Sequence, residues 1–266
     1  MDAGRSNALW EANAETWTQL ARAGYDVHRD LVNTPGFLAM LPPVAGLHGL
    51  DIGCGEGANT RSVARLGARM DAIDVAPTFV AHALATEVVE PLGIAYCVAD
   101  ALALPFADAT FDFATAFMSL MDVPSYETAL REAFRVIRPG GFLQFSILHP
   151  CFVPPHRRVI RDDDGVAHTI EIARYFDRVD GEIERWMFSA APEDARASVE
   201  PFEVPIYHHT LADWINDLVE AGFTIERLGE PSVDDATAAA HPIVADTQIA
   251  PLFLHIRARR SHEHPQ

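Results

Sequence analysis

From Leu47 onward the chain alternates short apolar runs with stretches whose apolar residues recur every three or four positions. L-H-G-L-D-I (47–52) precedes T-R-S-V-A-R-L (60–66), and A-R-M-D-A-I-D-V (68–75) precedes F-V-A-H-A-L-A-T-E-V-V (79–89). The series continues through I-A-Y-C-V-A-D (94–100), F-D-F-A-T-A-F-M (111–118), the helix-patterned E-T-A-L-R-E-A-F-R-V-I (127–137) and G-F-L-Q-F-S-I-L (141–148). Strand and helix in alternation predict right-handed βαβ units and a parallel sheet with helices on both faces. Arg138-Pro139-Gly140-Gly141 predicts the turn that stops one helix and starts the fifth strand.

Residues 150–205 break that rhythm. They carry Pro154-Pro155, an acidic turn at 162–165, and alternating stretches at 168–174 and 182–188 that read as one hairpin. The stretch is too short for a core of its own and reads as an insertion. Thr210 then opens a helix with Asp213 in the capping-box position, and Leu211, Trp214, Ile215, Leu218 and Val219 share a face. Gly222 ends it, and F-T-I-E-R-L (223–228) and residues 252–258 read as the last strands. The division expected is a helical cap (1–45), a core (46–149), the insertion (150–205) as a lid, and the rest of the core sheet (206–260).

L-D-I-G-C-G-E-G (50–57) falls at the end of the first strand, where open α/β sheets bind ligands. Gly53, Gly55 and Ala58 formally match a dinucleotide fingerprint. Asp51 and Glu56 argue against a pyrophosphate there, because phosphates want bare amides and the positive end of a helix. A ligand with positive charge at the loop suits them better. S-adenosylmethionine has that distribution: a sulfonium and an ammonium beside an adenosine, and no phosphate. Asp74 at the end of A-I-D-V is placed to accept ribose hydroxyls, and Asp100 in V-A-D-A to accept from an adenine amino group.

With L-P-F-x-x-x-x-F-D (104–112) and R-V-I-R-P-G-G (135–141) added to these motifs, the chain resembles a class I S-adenosylmethionine-dependent methyltransferase of the small-molecule, type 11-like group. The likeness is strong over 47–148 and looser over 210–258. It implies a Rossmann-like α/β fold with a seven-stranded, mostly parallel sheet whose last strand is antiparallel. It also implies that Asp51, Gly53, Gly55, Asp74, Val75, Asp100, Ala101 and Phe117 line the cofactor. A-G-Y-D-V-H-R-D-L (23–31) resembles the cap that related enzymes fold over the cofactor, with Tyr25 and Arg29 towards its methionine part. Trp10 and Trp17, seven apart, read most simply as core packing, and Gly57 reads equally well as a helix-packing glycine.

Methyl transfer is an in-line displacement, so alignment and exclusion of water matter more than any one catalytic group. A hydroxyl or amine acceptor would use a base, and His149, after the fifth strand, is the candidate catalytic and substrate-binding residue. His208 and His209 are further candidates for the substrate. No metal site is expected. Two other readings stay open: a non-catalytic S-adenosylmethionine-binding protein, and an NAD-dependent oxidoreductase. The second lacks a Tyr-x-x-x-Lys pair, since the chain contains no lysine.

Charge and cysteine content narrow the partners. Lys+Arg is 20 against Asp+Glu 38, a net charge of −18, which argues against nucleic acid. Three cysteines without paired-ligand spacing fit a reducing compartment, so the cytoplasm is expected. No apolar run approaches the eighteen or so residues of a membrane span. A small-molecule acceptor, methylated at oxygen or nitrogen, is therefore the expected partner, and the oligomeric state is open.

Overall fold

A computed structural model describes residues 1–163 and 166–261. Asp164 and Gly165 of the expected acidic turn, and residues 262–266, lie outside the described residues. The chain opens with α1 (Ala3–Arg22) and α2 (Thr34–Met40), joined through a π-helical turn at Arg29–Asn33. Then follow β1 (His48–Ile52), α3 (Ala58–Ala64), β2 (Arg69–Asp74), α4 (Pro77–Val89), β3 (Ala95–Val98), β4 (Phe111–Phe117), α5 (Tyr126–Val136) and β5 (Ile137–Leu148). The stretch after β5 contributes β6 (His156–Arg161), β7 (Ala167–Ala173), β8 (Val179–Trp186), α6 (Glu193–Ala197) and β9 (Phe202–His208), the last running past the boundary expected at 205. The chain closes with α7 (Leu211–Glu220), β10 (Phe223–Gly229), α8 (Asp235–Ala240) and β11 (Phe253–Arg260).

Seven strands form one sheet in the order β10-β11-β5-β4-β1-β2-β3. β1 to β5 pair in parallel, and β11 runs antiparallel to both neighbours, as the resemblance implied. The strand order reverses between β1 and β4, and that switch point opens a crevice at the carboxyl ends. One face buries Leu50, Phe111, Leu130, Phe145 and Leu218 beneath α5 and α7. The other buries Phe37, Val63, Met70, Val80 and Phe113 beneath α2, α3 and α4. Thr210 and Asp213 close the capping box that starts α7.

Three local expectations are corrected. The two alternating stretches of the insertion do not pair with each other: β7 pairs with β6, and β8 pairs with β9. Arg174, with a left-handed φ of +66°, turns the chain away after β7, and the Asp177 amide closes that turn on the Arg174 carbonyl. Arg138–Gly141 is a bulge inside an extended β5 rather than a turn before it, the pairing with β4 slipping between Phe111 and Phe113. Val219 is 56% exposed, so the apolar face of α7 is narrower than expected.

A buried polar network ties the N-terminal segment to the sheet. His255 Nε2 donates to Asn33 Oδ1 at 2.8 Å, and Asn33 Nδ2 donates to Ser146 Oγ at 3.2 Å. Burial holds the His255 imidazole down at about 4, so it stays neutral in the folded protein. Between about 4 and the unfolded value of 6.5 the unfolded chain binds the extra proton. Stability from this group is therefore fully present above 6.5 and lost as the pH falls to 4, by up to about 3 kcal/mol at 1.36 kcal/mol per unit. Urea unfolding at pH 7.0, 5.5 and 4.5 should show that loss, and His255→Gln should flatten it.

Candidate functional site

The turn after β1 is built from three left-handed glycines, each needed for a different reason. Gly53 (φ +73°) has no room for a Cβ, which would lie 2.3 Å from Ser119 Cβ. Gly57 (φ +88°) would press a Cβ against the Tyr96 hydroxyl at 2.7 Å, so it serves packing, as one of its two readings held. A Cβ on Gly55 (φ +56°) meets nothing within 4 Å. That position faces open space, which is what a backbone meant to touch a ligand requires.

Two acids hold the turn. Asp74 accepts the Gly55 amide at 2.8 Å through Oδ2 and the Ala76 amide at 2.9 Å through Oδ1. Asp51 accepts the hydroxyls of Thr60 and Thr115, the latter at 2.8 Å. Burial pushes both carboxyls up to about 6, against the pull of those donors. Ser119, just after β4, donates to the Ile52 carbonyl at 2.6 Å and fastens β4 to the turn. Glu56 is answered from the cap, by Arg22 at 3.1 Å and Arg29 at 3.8 Å. Its charge therefore faces arginines as well as the cavity.

Around this turn lies a cavity of about 1030 Å³. It gathers Asp51, Gly53, Gly55, Asp74, Val75, Asp100, Ala101 and Phe117 on one side, and Tyr25 and Arg29 from the cap. Asp100 is half-buried and already accepts the Leu102 amide at 2.9 Å. Phe117 packs on Phe37 with ring centroids 3.8 Å apart. Arg29 is also engaged by Asp26 at 3.7 Å and Asp30 at 2.8 Å. The volume sits at the top of the usual 300–1,000 Å³ range for small-molecule sites, enough for a nucleoside and a second ligand.

The histidines separate. His149 is a correction: its ring is 2% exposed and does not line the cavity, although Leu148 and Pro150 on either side do. Its Nε2 lies 2.9 Å from Glu230 and its Nδ1 accepts the Cys151 amide at 3.2 Å, so both nitrogens fasten the turn after β5. His208 and His209 do line the cavity. His208 Nε2 donates to the Tyr175 carbonyl at 2.8 Å. The His209 ring lies 4.4 Å from the Tyr126 ring, its Nε2 is buried with no hydrogen-bond partner among the described residues, and burial lowers its pKa.

Several wall residues escaped the sequence reading. Trp10 and Trp17 pack on small apolar clusters, as expected, but also face the cavity from α1, and Trp17 stacks on Trp186 of β8 at 5.1 Å. Their heptad spacing was visible in the sequence, but its partner on β8 was not. Asp122, in the 3-10 turn Leu120–Asp122 after β4, also lines the cavity, and nothing in its local sequence distinguishes it.

Residues 50–145 match the family model described as "Methyltransferase domain". The O-methyltransferase resE of Aspergillus sclerotiorum is 39% identical over 113 residues, 41% of this chain and 43% of that protein. A malonyl-[acyl-carrier protein] O-methyltransferase of Enterobacter lignolyticus is 30% identical over 146 residues, 54% of this chain and 57% of that protein. The chain spans about half the length of these curated relatives. Among solved structures, an S-adenosylmethionine-dependent methyltransferase from Mesorhizobium loti is 30% identical, with a TM-score of 0.68 over 85% of this chain and 96% of that one. At 20% identity and a TM-score of 0.55, covering 93% of this chain and 84% of its own, the [4+2]-cyclase SpnF shares the fold alone.

The glycine geometry gives a paired expectation. Gly55→Ala should cost about 1–2 kcal/mol, the penalty of a left-handed backbone alone. Gly53→Ala should cost clearly more, because Ser119 and the strand behind it must also shift. Urea titrations of the two variants beside the parent protein would rank them.

Proposed function

Because the chain belongs to the S-adenosylmethionine-dependent methyltransferases, we propose that it moves a methyl group from that cofactor to an oxygen or nitrogen of a small-molecule acceptor. The observation that carries this is the open face of Gly55 beside Asp74 and Asp100, at the ends of three adjacent parallel strands. When bound, S-adenosylmethionine supplies a methyl group on a positively charged sulfur. Asp74 would hold the ribose hydroxyls with the lone pairs its two amide bonds leave free, and Asp100 would meet the adenine amino group. Gly53, Gly55 and Asp51 would form the floor, Val75, Ala101 and Phe117 the apolar walls of the base. Tyr25 and Arg29 would close over the methionine part.

The insertion would act as a lid on the acceptor side. Trp186 and Phe188 bring aromatic surface from it to the cavity, and Trp17 meets both. His208 and His209 would shape the acceptor pocket, and exclusion of water by these rings leaves positioning as the main source of rate. Two relatives are named O-methyltransferases, which keeps oxygen beside nitrogen among the acceptor atoms to be tested. Among the described residues no helix is long and apolar enough to cross a membrane, and three free thiols suit the cytoplasm.

Isothermal titration with S-adenosylmethionine, S-adenosylhomocysteine and NAD tests the reading. The first two should bind at about micromolar levels, NAD should not, and Asp74→Ala should weaken binding at least about tenfold, the equivalent of one lost charge-assisted contact. Binding of NAD alone would sink the proposal. Tight cofactor binding without transfer of labelled methyl to any hydroxyl or amine would favour a non-catalytic binder.

A further inference from the structure

Almost every acid that lines the cavity is answered. Asp26, Glu56 and Asp246 face arginines, Asp51 two threonine hydroxyls, and Asp74 and Asp100 backbone amides. Glu182 and Glu184 stand exposed on β8, where water solvates them. Asp122 is different. It is half-buried, and among the described residues nothing donates to its carboxylate or pairs with it. Burial pushes its carboxyl well above the ordinary range, with no neighbouring cation to pull it back.

Its place relative to the cofactor floor is fixed by backbone bonds. The Asp122 amide donates to the Ser119 carbonyl at 3.0 Å, and the Ser119 hydroxyl donates to Ile52 at the end of β1. The Asp122 carbonyl accepts the Ser6 hydroxyl of α1 at 3.4 Å, one helical turn from Trp10. Asp122 therefore stands one tight turn from the glycine turn and lines the same cavity as Trp10, Trp17 and Trp186. Of the arginines that line the cavity, Arg29 is held by Asp26 and Asp30, Arg157 by Asp246 and Arg174 by Asp177, and Arg161 is engaged as well. An unanswered carboxylate in a cavity that aromatic rings also line favours a cation, which the carboxylate neutralises and the rings attract.

Resting on the methyltransferase reading above, we propose that Asp122 is a catalytic residue that binds the acceptor as an ammonium ion and takes its proton, so that the acceptors are primary or secondary amines with an apolar or aromatic body. The carboxylate removes one proton from the ammonium and so frees the nitrogen lone pair. That pair forms the new N–CH3 bond while the S–CH3 pair leaves with sulfur. The methylated nitrogen carries the positive charge away, the sulfur becomes neutral, and the proton on Asp122 passes to solvent. A raised carboxyl pKa in the empty pocket suits a base that ionises when a cation arrives.

All four tryptophans of the chain line the cavity, so intrinsic fluorescence reports its occupancy. The test is titration of 2-phenylethylamine, 2-phenylethanol and 3-phenylpropionate into the full chain, with and without saturating S-adenosylhomocysteine. The amine should bind at least about tenfold more tightly than the other two, an advantage of about 1.4 kcal/mol. Asp122→Asn should erase that advantage while leaving the alcohol's affinity, the S-adenosylhomocysteine affinity and the melting profile unchanged. Labelled-methyl transfer to amines should fall with it, and Asp122→Glu should recover part. Equal binding of the three probes, an amine preference that survives Asp122→Asn, or methyl transfer confined to hydroxyls would overturn the proposal. Failure of S-adenosylhomocysteine to bind the parent protein would strike the methyltransferase reading instead, and the titration without it keeps the two apart.

Discussion

The geometry of the cavity is referenced to one pair of carboxylates at the ends of neighbouring strands. Asp51 and Asp74 are buried in a sheet whose interior would normally reject them, and each is kept there by short donors. Asp74 does more than wait for a ligand, because it already pins the Gly55 amide and thereby fixes the left-handed turn. Removing it would release the floor at Gly55. The three glycines make the turn sterically allowed, and the two acids make it the conformation that persists.

Rigidity at this floor spreads outward through β4. Ser119 ties the strand end to Ile52, Phe117 behind it packs on Phe37, and the 3-10 turn beyond carries Asp122 into the cavity. The glycine turn and Asp122 are thus mechanically continuous along a few residues that follow one strand. The roof is attached differently, through stacked rings. Trp17 meets Trp186, Phe188 and Phe202 at 4.9–5.1 Å, so α1 and the β8–β9 pair share a small apolar core.

The core sheet was legible from the chain because its signals are local. Alternating apolar periods over 47–148 predict right-handed βαβ units in a parallel sheet, while the seven strands and the antiparallel last one were implied by the family resemblance. Gly53, Asp74 and Asp100 were placed at strand ends for the same reason, each readable from its own neighbours, and the structure brings all three to the cavity. The insertion was not, since pairing β7 with β6 and β8 with β9 depends on where Arg174 reverses the chain, and alternation alone carries no partner. His149 sat at the right strand end but spends both ring nitrogens on its own turn, a fact fixed by Glu230, eighty-one residues away. Asp122 was invisible because what distinguishes it is a carboxylate without a partner among the described residues, and such an absence has no sequence pattern.

The stacking of Trp17 on Trp186 has a consequence for how such a protein diversifies. Both rings lie outside residues 50–145, the stretch that matches the family model, whereas the glycine turn, Asp74 and Asp100 lie inside it. The roof can therefore be rebuilt by drift in two flanking segments without disturbing the floor. Lineages that share the methyl donor would then part company in what they modify, and the record of that divergence would be written in α1 and the insertion.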